Sequence, residues 1–187
     1  IARAAVAAGL GTDAVVHIRT DEHGRMNVRE LERMCAEMQA DPAHPQGVPL
    51  IVCATSGTTV LGAFDDVAAI AEVCRKYNLW LHVDASWGGA AAFLPHDAPE
   101  RSVLAGLENA HSITINPHKL LGVTHQCSFL LVHDKSVLIP PSHSDGGYLF
   151  HVPAEDALDM ATKTLGCGRR GDALKFYLVW LRYGTQG

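Results

Sequence analysis

The sequence predicts an α/β fold with a mostly parallel sheet. Several short runs of strand length are apolar at nearly every position, which is typical of strands that are buried on both faces. These runs alternate along the chain with segments whose apolar residues recur at helical spacing. The length of 187 residues suits one domain with a sizeable core. We therefore expect a mostly parallel, mixed sheet with helices on both faces.

Four helices are predicted. The first covers residues 2–8, an alanine-rich run that halts at Gly9. The second begins after Asn27, a residue type that favours helix N-caps, and its inner face is Val28, Leu31, Met34, Cys35 and Met38. The third is opened by Asp65, and its inner face is Val67, Ile70, Ala71, Cys74 and Tyr77. The last spans about 171–183 and has on one side Leu174, Tyr177, Leu178 and Leu181.

Five strands are predicted from short β-branched or continuously apolar runs. They cover residues 14–18, 50–54, 79–84, 112–115 and 127–132. Turn residues at 21–24 and the proline-containing stretch 41–49 separate the early elements.

Composition and charge exclude several classes of protein. The apolar share of 48% argues against a disordered chain. The formal net charge of −5 argues against a protein that mainly neutralises nucleic-acid phosphates. No apolar run approaches the roughly 20 residues of a membrane span, and no signal peptide is visible. The 5 cysteines are odd in number and widely spaced, which favours a reducing, cytoplasmic setting.

The two ends of the sequence look cut rather than finished. The chain opens at Ile1 without a methionine and closes at Gly187, directly after an amphipathic stretch. We therefore expect residues 1–187 to be an internal piece of a longer protein.

Polar residues gather where three of the predicted strands end. These strand ends are 55–59, 82–89 and 116–119. In parallel sheets, ligands bind outside the carboxyl ends of the strands. These three segments are therefore the candidate site.

Asp84 is the candidate acid. His82 and Asp84 are two residues apart on a strand, so their side chains leave the same face. The strand begins Leu79-Trp80-Leu81, and an unpaired carboxylate on a buried strand is costly, so we expect a cationic or proton-donating partner. An aspartate that only caps the following turn is an equally good interpretation of the spacing.

Lys119 is the candidate amine. It follows Asn116-Pro117-His118 at a strand end and precedes apolar residues, which can partly desolvate its ammonium and favour Schiff-base chemistry. Taken alone, a solvated loop lysine is the commoner case. A buried acid on one strand end and a lysine on another together suit a pyridoxal phosphate site, where the lysine binds the cofactor and the acid keeps its pyridine nitrogen protonated.

The same segments resemble the group II pyridoxal-phosphate-dependent amino-acid decarboxylases. The resemblance rests on His82-Val83-Asp84-Ala85-Ser86-Trp87-Gly88-Gly89 and Asn116-Pro117-His118-Lys119-Leu120-Leu121-Gly122. Further similar segments follow in family order at 55–60, 126–128, 147–150 and 167–169. The Trp-Gly-Gly after the aspartate segment is closer to the glutamate and cysteine-sulfinate branch than to the aromatic branch, which usually carries a tyrosine there. The resemblance implies the large domain of the fold-type I pyridoxal-phosphate enzymes.

The resemblance also implies roles for particular residues. Lys119 would bind the cofactor covalently and Asp84 would pair with its pyridinium nitrogen. Asn116 and His118 would help hold its phosphate, and Thr55 would line its pocket.

Three further residues have less direct assignments. Ser86 stands where the family usually has an alanine against the cofactor ring, so contact with the cofactor is expected and its consequence is open. His82 matches a family histidine, and a catalytic role is as plausible as a packed strand histidine. Tyr148 matches the tyrosine of the family's mobile catalytic loop and would donate the proton to Cα after CO2 has left.

The implied reaction is decarboxylation of an amino acid to the amine and CO2, with an acidic substrate favoured. The implied assembly is a homodimer whose active sites are shared. An isolated piece without the upstream segment and the C-terminal small domain would be inactive. Arg169 and Arg170 could bind an acidic substrate or cap backbone carbonyls before the last helix.

Three alternatives stay open at this stage. One is an aromatic amino-acid decarboxylase of the same family. Another is a non-catalytic structural core. The third is a metal hydrolase whose ligands are His82, Asp84, His118 and His125, although the 11 histidines are scattered and no H-E-x-x-H motif occurs.

Overall fold

Four strands form a single mixed sheet in the computed structural model, which describes residues 1–41, 43–44, 47–138 and 170–184. The strands are β1 (Ile51–Thr55), β2 (Trp80–Asp84), β3 (Ser112–Ile115) and β4 (Phe129–Val132). Their order in the sheet is β1-β2-β3-β4; the first three are parallel, and β4 runs antiparallel to β3. The predicted α/β class with a mostly parallel, mixed sheet is confirmed.

Four α-helices accompany the sheet. They are α1 (Ala2–Ala7), α2 (Val28–Ala40), α3 (Val67–Tyr77) and α4 (Asp172–Tyr183). The side chain of Asn27 accepts a hydrogen bond from the Glu30 amide at the start of α2, as predicted. Helix α3 ends at Asn78, whose φ of 53° lies in the left-handed region and reverses the chain toward β2.

The core lies between one face of the sheet and helices α2 and α3. Alternate strand residues, among them Ala54, Leu81 and Val83, are fully buried against α3, whose Ile70 is also fully buried. Burying a side chain of this size contributes about 1.5–3 kcal/mol. The opposite face carries Trp80 and the polar side chains of the site, of which Ser112 is buried and His82, Asp84 and Thr55 are half-buried or exposed.

Two element boundaries differ from the prediction because a side chain takes over a backbone hydrogen bond. Helix α3 starts after Asp66, since Asp65 instead accepts hydrogen bonds from the amides of Met26 and Thr55, both at 2.7 Å. Strand β4 starts at Phe129 because the backbone amide of Cys127 donates to the His118 ring at 3.0 Å.

The strand predicted at 14–18 is wrong. This segment joins no strand of the sheet, and the pairing nearby is an isolated antiparallel bridge between Thr20 and Met26. Ile18 is nevertheless half-buried and packs against the core without a neighbouring strand.

The predicted face of α4 is exposed in the described part of the chain. Leu174, Leu178 and Leu181 are 56–62% exposed, whereas Phe176 and Trp180 on the other side contact Phe93. No helix among the described residues is long and apolar enough to cross a bilayer.

Candidate active site

A row of polar side chains crosses three parallel strands at their carboxyl ends. Thr55 is in register with Asp84, and Asp84 with Thr114. Residues in register share a face of the sheet, so these side chains leave the face opposite to the core. The predicted strand-end site is therefore a continuous edge in the structure.

Asp84 lies at the end of β2 and is exposed among the described residues, so the expected burial of its carboxylate is wrong for this part of the chain. Its Oδ1 accepts a hydrogen bond from the Ser86 amide at 3.0 Å, which is the turn-capping role that the sequence left open. This bond uses one carboxylate oxygen, and a carboxylate has two acceptor oxygens. Asp84 can therefore cap the turn and still accept a bond from a ring N–H.

Lys119 extends from the turn after β3 to the turn that follows Asp84. Its backbone amide donates to the carbonyl of Asn116 at 2.9 Å, which forms the turn. Its half-buried side chain places Nζ 2.7 Å from the Ser86 hydroxyl oxygen and 5.3 Å from the centre of the Trp87 ring. A cation at that distance from an indole face is attracted by the ring quadrupole.

The amine of Lys119 and the carboxylate of Asp84 thus both form a hydrogen bond with the same residue, Ser86. Ser86 accepts a hydrogen bond from Lys119 through its side chain and donates one to Asp84 through its backbone. An amine that can bond to an aldehyde and an acid that can stabilise a ring cation are the two groups that pyridoxal phosphate requires. The residues present therefore fit this cofactor.

His82 is a hydrogen-bonded strand histidine. Its Nδ1 lies 2.8 Å from the Ser112 hydroxyl, and its Nε2 lies 3.4 Å from that of Thr114. Burial lowers the pKa of His82 below its ordinary value, because the imidazolium loses hydration, and the Asp84 carboxylate acts in the opposite direction with a smaller effect. The ring is therefore held neutral near pH 7.

Asn116 and His118 are held by the segment that follows them. The Oδ1 of Asn116 accepts a hydrogen bond from the Ser128 hydroxyl at 2.5 Å, and the Nδ1 of His118 bonds to the backbone of Cys127. The His118 ring also contacts the edge of His125, with ring centres 4.2 Å apart. The Asn116 amide nitrogen and Nε2 of His118 keep the capacity to donate to a phosphate.

Two glycines allow the turns after β1 and β2 to touch. The Gly88 amide donates to the Ser56 carbonyl at 3.0 Å, and a Cβ on Gly88 would lie 2.5 Å from that oxygen. A Cβ on Gly57, whose φ is 87°, would lie 2.8 Å from the Gly88 nitrogen. This contact brings the segment of Thr55 against that of Asp84 and Ser86.

Two contributors to the site were not predicted. Trp87 was given no role beyond its place in the motif, but its ring lies beside the Lys119 amine. Ser112, which bonds to both His82 and Trp80, was not singled out. The alternation Ser-x-Thr at 112–114, next to His-x-Asp at 82–84, could have indicated this pairing.

Some predicted residues lie outside the described part of the chain. These are Tyr148, Arg169 and the similar segments 147–150 and 167–169. Arg170 is described and is exposed.

The metal-hydrolase alternative has no ligand set in the described segments. No three histidine, cysteine or carboxylate side chains there are grouped as a metal ion would require.

The comparisons with known proteins identify the family of the chain. The pyridoxal-dependent decarboxylase conserved domain matches residues 1–187 of the chain. The human cysteine sulfinic acid decarboxylase is 46% identical over 190 residues, and an L-aspartate decarboxylase of Metarhizium robertsii is 45% identical over 187 residues. The match to the human protein covers 100% of this chain and 37% of that protein, and the match to the fungal protein covers 99% and 36%.

Solved structures give the same result for the fold. The crystal structure of mouse CSAD matches with a TM-score of 0.85 at 45% identity, over 100% of this chain and 37% of that one. The structure of Oryza sativa TDC with PLP and tryptamine matches with a TM-score of 0.83 at 33% identity, over 98% and 37%. The chain spans a little over a third of the length of these relatives. Because the family's conserved domain matches residues 1–187, the chain belongs to the pyridoxal-dependent decarboxylase family.

Proposed function

We propose that the protein removes CO2 from an acidic amino acid to give the amine, with pyridoxal phosphate as cofactor. The observation that carries this proposal is that Ser86 forms a hydrogen bond with the Lys119 amine and another with the Asp84 carboxylate. The relatives at 45–46% identity are named for decarboxylation of aspartate and cysteine sulfinate, which favours a substrate with a second acidic group.

Five residues would hold the cofactor in this proposal. Lys119 would bind its aldehyde carbon, and Asp84 would accept a hydrogen bond from its ring nitrogen. The phosphate would bind to Asn116 and His118, and Thr55 would line the pocket at the end of β1. When bound, the cofactor supplies an electron sink for the electron pair that remains at Cα after CO2 has left.

The chain's own residues would control the two proton positions that decide the product. Asp84 would keep the proton on the ring nitrogen by hydrogen bonding to it as a carboxylate. Tyr148 would deliver a proton to Cα of the substrate, which gives the amine; a proton delivered to the cofactor carbon would give transamination instead. His82 is neutral and bonded to Ser112 and Thr114. From its position on β2 it would support one face of the cofactor ring.

Three statements about the whole protein belong to the same proposal. Residues 1–187 would form part of the cofactor-binding large domain, and two copies would form a homodimer with shared active sites. The protein would be cytoplasmic, in keeping with Cys35, Cys53, Cys74 and Cys127, which form no disulfide within the described ranges. Sedimentation of the full-length protein and cell fractionation test the last two statements.

The experiment that tests the function is CO2 release by the full-length protein from glutamate, aspartate, cysteine sulfinate, tyrosine and tryptophan. We expect release from at least one acidic substrate, and loss of at least a thousandfold in Lys119→Ala because the cofactor can no longer be held covalently. Lys135→Ala, which removes an exposed lysine after β4, is the control and should keep wild-type activity. No CO2 release from any substrate would overturn the proposal.

An aromatic substrate is the second candidate. It is supported by the likeness to Oryza sativa TDC with PLP and tryptamine, at the lower identity of 33%. Preference for tyrosine or tryptophan in the same panel would establish it over the acidic class.

A further inference from the structure

The side chain of Ser86 has a partner that the family resemblance does not give it. At this position the resemblance places an alanine against the cofactor ring, yet here the hydroxyl oxygen lies 2.7 Å from Nζ of Lys119. That length is characteristic of a strong, charge-assisted hydrogen bond. The residue therefore carries an interaction with the reactive amine itself.

The backbone holds this hydroxyl in place. The Ser86 amide donates to Asp84 Oδ1 at 3.0 Å. The carbonyl of the preceding residue, Ala85, is held by the turn that ends in Gly88 and Gly89. Gly89 donates its amide to the Ala85 carbonyl at 2.8 Å. Ser86 thus presents a half-buried hydroxyl from a turn that hydrogen bonds hold in place. Little conformational entropy is therefore lost when this hydroxyl binds a partner.

Trp87 contacts the Lys119 amine from a second direction. Its ring centre lies 5.3 Å from Nζ, so the amine contacts a hydroxyl acceptor and an indole face that come from consecutive residues. Lys119 makes both contacts while its amine is not bonded to a cofactor.

We propose that Ser86 is a positioning residue that holds the free amine of Lys119 beside the cofactor aldehyde whenever lysine and cofactor are not bonded. The proposal rests on the proposed function, because it concerns the same lysine and the same cofactor. Lysine must be released when the substrate amine takes its place, and it must return before the next turnover. A hydroxyl that holds the released amine near its point of attack makes that return an intramolecular step.

The step that Ser86 assists can be written in full. The ammonium of Lys119 first gives one proton to solvent; the neutral amine then adds its lone pair to the aldehyde carbon, and a carbon–nitrogen double bond forms. The carbonyl oxygen leaves as water and carries away the two protons of the amine. While the lysine is not bonded to the cofactor, the hydroxyl oxygen of Ser86 accepts one N–H bond and so orients the amine; the hydroxyl is neither consumed nor changed.

The test is the rate at which cofactor-free, full-length protein binds added pyridoxal phosphate covalently, followed in a stopped-flow instrument by the absorbance of the lysine-bound cofactor. We expect Ser86→Ala to lower this rate about tenfold, since a hydrogen bond to a charged group is lost. Ser86→Thr keeps the hydroxyl and should stay within about twofold of the wild-type rate. Ser102→Ala is the matched control, because it removes one serine hydroxyl bond, to the Pro99 carbonyl, in a segment that carries none of the proposed cofactor-binding residues.

The outcomes separate this proposal from the proposed function. A wild-type rate in Ser86→Ala would overturn the positioning role, and so would an equal loss in Ser86→Thr or Ser102→Ala. Because the readout contains no amino acid, slow binding in Ser86→Ala supports the proposal even if the panel shows no CO2 release. CO2 release with an unchanged binding rate in Ser86→Ala would instead leave the function standing and reject the role of Ser86.

Discussion

Asp84, Ser86 and Lys119 show how three residues from two strand ends come to form one site. Parallel strands bring their carboxyl ends to one edge of the sheet, and the turns that follow carry the polar side chains over that edge. Ser86 joins the other two because it offers a backbone donor to the acid and a hydroxyl acceptor to the amine. The acid and the amine are therefore linked through a residue that stands where the family usually has an alanine.

At the residue scale, the neutral state of His82 predicts a dependence of stability on pH. Its pKa is lowered by burial, so below the ordinary value of 6.5 the unfolded chain binds a proton that the folded chain does not. We expect the free energy of unfolding of the full-length protein to fall as the pH drops from 7 toward 5, and to fall less steeply in His82→Gln. The measurement is urea unfolding at several pH values.

The control for this prediction is His23→Gln, because the His23 side chain is 66% exposed. This variant should follow the wild-type pH dependence. Equal slopes for His82→Gln and the wild type would show that His82 is not held neutral.

Tyr148 predicts a change of product rather than a loss of cofactor. In Tyr148→Phe the proposed proton donor to Cα is removed, so protonation at the cofactor carbon competes better. We expect a shift from amine toward aldehyde or ketone, measured by chromatography of the products, with unchanged absorbance of the bound cofactor. Unchanged product ratios would remove Tyr148 from the scheme.

At the scale of elements, the two turns that touch at Gly57 and Gly88 predict a stability cost. A methyl group on Gly88 would lie 2.5 Å from the Ser56 carbonyl oxygen, which is backbone and cannot turn aside. We expect Gly88→Ala to lower the free energy of unfolding by about 1–3 kcal/mol, measured by urea unfolding.

Gly89→Ala is the matched comparison for that prediction. Its methyl group would meet side-chain atoms of Ile115 at 2.9 Å, which can shift, so the loss should be smaller. A loss in Gly89→Ala equal to or larger than that in Gly88→Ala would contradict the account of the backbone contact.

Most elements were predictable because a local signal and the tertiary structure agree. The N-cap at Asn27, the β-branched strand at 112–115 and the helix at about 171–183 all needed only a few neighbouring residues. The strand at 14–18 failed because a strand also needs a neighbour, which a β-branched run does not provide.

The start of α3 was misjudged for a similar reason. Asp65 and Asp66 are equally good caps in sequence, and only the amides of Met26 and Thr55, distant in the chain, decide between them. The same limit applies to Trp87 and Ser112, whose partners lie on other elements.

At the scale of the whole molecule, the described residues build one edge of a site and one covered face of a sheet. The chain spans a little over a third of its curated relatives, and the exposed Leu174, Leu178 and Leu181 lie on a helix at its end. Activity, substrate and assembly therefore belong to the full-length protein, in which every proposed experiment is carried out.

The most direct test of the central claim is to find where the cofactor is bound covalently. The full-length protein is loaded with pyridoxal phosphate, reduced with borohydride, digested and mapped by mass spectrometry. The account predicts the pyridoxyl label on Lys119, and no label at that position or lysine-bound cofactor absorbance in Lys119→Ala. A stoichiometric label on a different lysine, with Lys119 unmodified, would contradict it.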